Sequence, residues 1–260
     1  TQYLIISTRR FPISNKYVPA TITKSTPPIP EPYFVGSTKA NITDFPYHIS
    51  LRFVHKPTCG AAIISKNWAI TAGSCIKSFS PNPEFYSVKV GSTHEVEEGV
   101  VHQVSTYILH PRYNSSTNDN DIALIKVTTP FVFSNTTQPV VLADANANVS
   151  TNSMGIITGW GYTSNTGPSY ARTLRKLPLP IIDQTRCNKV YNGLITNSML
   201  CAGYTDRTVD VCGGHGSPMV ANGKLIGLVS WGYGCANRRY PTVFTRVPAL
   251  REWISSVIGF

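Results

Sequence analysis

The chain is poor in charge and poorest in acid. Charged residues make up 14% of its 260 positions, 13 acidic against 23 basic, so it carries a formal charge of +10. Such a balance favours acidic surfaces and polyanions as partners. No stretch resembles a nucleic-acid-binding module, which argues against nucleic acid as that polyanion. No apolar run is long enough to span a bilayer, excluding a transmembrane helix. There is no internal sequence repeat, and no signal peptide stands at Thr1; a secreted chain of this kind is expected to have lost one.

What is present points to β-structure. At 42% hydrophobic residues the chain can bury a substantial core, as one large all-β unit or two small domains. Short β-branched and aromatic runs recur between turn residues: Ile49–Phe53, Ala61–Ile64, Ile156–Trp160 and Leu225–Val229. This spacing predicts a sandwich or barrels. One helix is expected, at the end, where Leu250, Trp253, Ile254 and Val257 recur at helical spacing after Pro248. Residues 1–33 differ in character: Pro12, Pro19, Pro27, Pro28, Pro30 and Pro32 predict an extended, polyproline-like segment.

Several ordered motifs carry a resemblance. Thr71-Ala72-Gly73-Ser74-Cys75, Asn120-Asp121-Ile122-Ala123-Leu124, Asp210-Val211-Cys212-Gly213-Gly214-His215-Gly216-Ser217-Pro218 and Ser230-Trp231-Gly232-Tyr233-Gly234-Cys235 follow one another along the chain. With Phe34-Val35-Gly36 and Thr242–Val247 they resemble the trypsin-like serine proteases, in that family's order of base, acid and nucleophile. The resemblance covers Phe34 to Phe260. It implies an all-β fold of two six-stranded antiparallel barrels with a C-terminal α-helix. The barrels would divide near Gln138-Pro139, and residues 1–33 would stand as a propeptide-like segment. It also implies disulfides Cys59–Cys75, Cys187–Cys201 and Cys212–Cys235, each closing a short loop worth roughly 3 kcal/mol. From sequence alone six cysteines allow fifteen pairings. Four acceptor tripeptides, at Asn41, Asn114, Asn135 and Asn148, accord with secretion and are candidate glycosylation sites.

The chemistry of the family is missing. Its nucleophile motif runs Cys-x-Gly-Asp-Ser-Gly-Gly-Pro, eight residues, whereas Cys212 to Pro218 is seven and holds no Asp-Ser pair. Ser74 stands where the general base should be and has no pKa near neutrality to serve as one. Of the triad only Asp121 survives, expected to bond Ser74 and Ser230. His215 reads either as a substitute base or as a loop histidine filling vacated space. Ser217 falls at a glycine position of the motif. The shortened His215-Gly216 loop should also spoil the oxyanion hole. The activation switch is absent at both ends: Tyr33, not Arg or Lys, precedes Phe34, and no aspartate waits for the freed amine, which could not be buried cheaply alone. In the specificity pocket Asp210 and Gly232 are kept, but Thr242 replaces a glycine and should narrow the entrance.

The resemblance therefore implies a pseudoprotease, similar to mite trypsin-like allergens and in particular to the scabies-mite inactivated protease paralogues. That in turn implies secretion into the gut lumen and interference with host defence proteases, notably complement. Two alternatives stand beside it: a cofactor of the parasite's own cascade, and a weak hydrolase with a rearranged site. No cofactor is implied. Calcium is not expected, because Glu95, Glu97 and Glu98 lie near a shortened loop in which Ser92 replaces the first acid. Arg172, Arg175, Lys176, Arg186 and Lys189 gather in one stretch that reads either as a solvated basic surface or as a binding patch.

Overall fold

The computed structural model describes residues 34–160, 173–205, 209–211, 213–233 and 239–259. The Pro-rich segment 1–33, Arg172 and the Cys212–Cys235 pair lie outside them. Two short strands open the chain, β1 (Phe34–Val35) and β2 (Thr38–Lys39). Six more then close a barrel: β3 (His48–Phe53), β4 (Lys56–Ile63), β5 (Trp68–Thr71), β6 (Tyr86–Val90), β7 (Val100–Leu109) and β8 (Ala123–Val127). They meet in the order β3-β4-β5-β8-β7-β6, with β6 antiparallel to β3 closing the ring. Full closure leaves no sheet edge to aggregate. Inside it Ile49, Leu51, Ile63, Tyr86, Val88 and Ile125 are fully buried, each contributing about 1.5–3 kcal/mol of transfer free energy.

The chain crosses to the second half through residues 128–140, the stretch that holds Gln138-Pro139. After β9 (Val141–Leu142) come β10 (Met154–Gly159), β11 (Arg175–Ile182), β12 (Met199–Ala202), β13 (Asp210–Val211), β14 (Pro218–Ala221), β15 (Lys224–Trp231) and β16 (Thr242–Arg246). Six of them run β10-β14-β15-β16-β12-β11, and β11 pairs back to β10, giving a second closed barrel. Strand β2 adds to the outside of β11, and β1 pairs with β13. Ile157, Leu177, Leu179, Met219 and Phe244 fill this barrel.

Among the described residues three α-helices complete the fold: α1 (Ser74–Lys77), α2 (Gln184–Val190) and α3 (Val247–Ile258). Pro248 sits in the first turn of α3, where its missing N–H costs nothing, and Gly259 ends it in the left-handed region at φ 84°. Leu250 and Ile254, one turn apart, seat α3 in a core shared with Ile42, Phe45, Ile70, Leu124, Leu225 and Leu228, which ties both barrels together. Disulfides Cys59–Cys75 and Cys187–Cys201 clamp β4 to α1 and α2 to β12. No helix among the described residues is long and apolar enough to cross a membrane.

A cleft with an intact carboxylate and a rebuilt loop

Asp121 lies at the floor of the cleft between the barrels, just before β8, and is 1% exposed. Its carboxylate collects donors from two elements. The Ser74 N–H donates to Oδ1 at 2.6 Å and Ser74 Oγ–H to Oδ2 at 3.1 Å. Ser230 Oγ–H, from β15, donates to Oδ2 at 2.5 Å. The backbone is fixed too, since Thr245 Oγ–H donates to the Asp121 carbonyl at 2.5 Å. Burial pushes the carboxyl above its ordinary range, while the bonds from Ser230 and Ser74 and the nearby His215 pull against that rise. Ser74 thus fills the base position as a donor, holding the acid in place of an imidazole.

On the facing side the loop Gly213–Ser217 is folded back on itself. Gly60 N–H donates to His215 O at 2.8 Å, Gly216 N–H to Val229 O at 2.8 Å, and Ser217 N–H to Gly214 O at 2.9 Å. The two N–H groups after His215 are therefore spent inside the scaffold, not presented to the cleft. Gly216, at φ 76°, has no room for a side chain: a Cβ would lie 2.3 Å from both Gly60 O and Thr71 Oγ1. Ser217 is 1% exposed and packs against Gly60, so its hydroxyl is sealed in the scaffold. His215 alone reaches out. Its Nδ1 lies 2.6 Å from the carbonyl oxygen of Ser230 and donates to it, leaving Nε2 as the ring's acceptor. Together Ser74, His215, Thr58, Ser78, Phe79 and the Cys59–Cys75 bridge line a recess of about 210 Å³. His215 and the serine at the base position line one recess, an arrangement invisible in the sequence because the two are 141 positions apart.

Gly232, exposed just after β15, and Thr242, 5% exposed at the start of β16, lie where the resemblance places the wall of a specificity pocket. A Cβ on Gly232 would come within 3.9 Å of the Thr242 Cα, so backbones face each other across this wall. Asp210 lies on β13, its backbone paired with Val35. Beside the pocket stands an aromatic group that sequence reasoning did not single out. Tyr191 has its ring centre 4.9 Å from that of Trp231, 5.3 Å from Tyr233 and 5.4 Å from Tyr240, and its hydroxyl donates to Pro241 O at 2.5 Å. Tyr233 lies within the Ser230–Cys235 motif; Tyr191, at the C-terminal end of α2, gave no signal.

These features decide the family. A trypsin family model matches residues 34–254. The chain belongs to the trypsin family. It is 36% identical to a trypsin of Phaedon cochleariae over 252 residues, 95% of this chain and 97% of that one. It is 35% identical to a vitellin-degrading protease of Bombyx mori over 236 residues, 90% and 88% of the two chains. Against trypsin-3 of Salmo salar the identity is 40% over 205 residues, covering 77% and 83%.

Elsewhere the basic stretch divides. Arg175 and Lys176 begin β11, next to Lys39 and Thr38 of β2, whereas Arg186 and Lys189 lie on α2 beyond its other end, about 24 Å further at ~3.4 Å per residue. Arg175 is spent on Ser37, donating to its Oγ at 3.1 Å and to its carbonyl at 2.6 Å. Lys176 lies over the ring of Phe45 at 5.8 Å. These residues thus form two separate clusters, and Lys39 joins the first.

The loop near Glu95 does not fit a calcium ion, because a lysine is already there. Lys89, 4% exposed on β6, donates to the carbonyls of His94 at 3.1 Å, Glu95 at 3.0 Å and Glu97 at 2.6 Å. Three donated bonds require the ammonium form and use all of its hydrogens. The loop's oxygens are therefore gathered around a covalent cation. Glu95, 7% exposed, has its carboxyl pushed up to about 7 by burial, against the pull of Arg52 and Lys89.

Proposed function

We propose that this trypsin homologue is not a protease and acts by binding proteins. The observation that carries the reading is the Gly213–Ser217 loop. It offers no free hydroxyl at the cleft, its N–H groups after His215 are bonded inward, and Ser74 donates to Asp121 where a base would have to accept. Acyl transfer needs a nucleophile, a proton acceptor and oxyanion donors together. A rigid scaffold with a disabled site remains suited to recognition through its loops. The disulfides fit an oxidising, extracellular setting. The resemblance to inactivated mite paralogues extends the proposal to gut-lumen secretion and interference with host defence proteases, complement first among them. A cofactor role in the parasite's own cascade is the less favoured form of the same idea.

One observation favours a second reading. Ser74 and His215 line the same recess, with serine at the base position and histidine in the nucleophile loop. A weak hydrolase would then use Ser74 as nucleophile and His215 Nε2 as base. One experiment separates the readings: hydrolysis of Arg and Lys ester substrates, alongside binding of purified complement components. The binding reading expects no turnover above background. It further expects binding that weakens with salt and falls in Lys39→Ala/Lys176→Ala, but survives Gly232→Trp in the old cleft. Turnover abolished by His215→Ala would favour the hydrolase. Binding lost only in Gly232→Trp would place the partner in the degenerate substrate site.

A further inference from the structure

The four acceptor asparagines are all exposed, but they differ in what precedes them. Asn41 caps a turn, accepting from the Thr43 N–H at 3.2 Å, and Asn114 accepts from the Ser116 N–H at 2.9 Å. Two positions before Asn41, Asn114 and Asn148 stand Lys39, Arg112 and Asn146, none of them apolar. Before Asn135 the chain reads Pro130-Phe131-Val132-Phe133. Phe131 is buried, yet Val132 is 81% and Phe133 41% exposed, two large apolar side chains left on the surface of one loop. With Lys66 and Pro130 they line a recess of about 520 Å³. Asn135 lies at the tip of a two-residue hairpin beside it: the Ser134 N–H donates to Thr137 O at 2.9 Å and the Thr137 N–H to Ser134 O at 3.3 Å.

We propose that Asn135 carries an N-linked glycan whose first N-acetylglucosamine lies on Phe133 and Val132, in this recess. A pyranose ring presents an apolar face of C–H groups, and an aromatic face is a natural platform for it. The aliphatic stem of Lys66 supplies a further wall. The tether sets the reach, because the sugar hangs from a side chain two residues from the ring it covers. In the bond-forming step Asn135 Nδ2 attacks the anomeric carbon of a lipid-pyrophosphate-linked oligosaccharide. The lipid pyrophosphate leaves and the amide gives up one proton. Thr137, the hydroxyl residue of this tripeptide, is 4% exposed in the folded chain, so attachment precedes folding. The inference needs passage through the secretory route and is independent of whether the cleft hydrolyses anything.

The test uses the full chain secreted from cells whose glycans stay high-mannose, with Asn41, Asn114 and Asn148 changed to Gln. Glycopeptide mapping should find Asn135 occupied. Trimming to a single N-acetylglucosamine should leave the melting temperature a few degrees above that of the fully deglycosylated protein. In NMR spectra the ring protons of that sugar should be shifted upfield. Phe133→Ala should erase both the thermal difference and the shift. If the triple variant does not fold, Asn135→Gln in the otherwise native chain should lower the melting temperature while Asn148→Gln does not. A bare Asn135, or a single-sugar form that melts with the sugar-free one, would overturn the proposal.

Discussion

The two sides of the cleft have changed in different ways. Asp121 has a full set of donors from Ser74, Ser230 and Thr245, with no imidazole at the base position. The opposite loop, seven residues from Cys212 to Pro218, holds no Asp-Ser pair. A buried carboxylate left without donors is costly, so its network resists change even when it serves no reaction. The loop has no such debt: Gly60, Val229 and Gly214 satisfy its backbone whatever side chains it carries. Electrostatics therefore holds one half of the site, and backbone hydrogen bonds hold the other.

The sharpest break of this comparison is at Gly216. Gly216→Ala should destabilise the fold by about 3 kcal/mol or more, since backbone Gly60 O cannot retreat and φ is positive. Gly193, at φ 88° with open space around it, is the control; its Ala variant should cost only about 1 kcal/mol of strain. Chemical denaturation of both variants checks the contrast.

Next comes a buried acid that nothing in the cleft explains. The folded pKa of Glu95, about 7, lies above the unfolded value of 4.5, so the folded state holds this proton more tightly. Its contribution is fully present below about pH 4.5 and is lost as pH rises through 7, by up to about 3 kcal/mol. Glu95→Gln should flatten the stability profile between those limits relative to the parent. A parallel profile for the two proteins would show that Glu95 titrates normally.

Removing the neighbouring cation should cost somewhat less. Lys89→Met would take a donor from three carbonyls, leaving those of His94 and Glu97 to share the Ser92 hydroxyl, an expected loss of about 2 kcal/mol. A chelator should leave the parent's thermal melting unchanged, since an ammonium holds this loop. A chelator-induced drop would show a metal at work here. The smallest effect is expected at the network's rim. Ser230→Ala should cost about 1–2 kcal/mol, because Asp121 keeps both bonds from Ser74.

Much of this was legible in the sequence, and the exceptions have physical causes. The strands at Ile49–Phe53 and Leu225–Val229 were readable because β-branched runs between turn residues have little other use. Asp121 was expected beside Ser74 and Ser230, and motif order was enough for that. Lys89 was not readable: it sits in a strand whose five residues are all buried, and only the fold brings the carbonyls of residues 94–97 around it. The approach of His215 to Ser74 was likewise hidden, because it depends on how a shortened loop closes. The spread of the basic run from Arg175 to Lys189 was also hidden. Its first residues open a strand and its last lie on the following helix.

The central claim is that no group in this cleft can act as an activated nucleophile. The direct measurement is reaction of the purified protein with a serine-directed fluorophosphonate, followed by intact-mass analysis and peptide mapping. The account predicts an unmodified mass at saturating reagent. Stoichiometric labelling of Ser74, lost in His215→Ala, would contradict it and establish a working hydrolase in which serine and histidine have exchanged places.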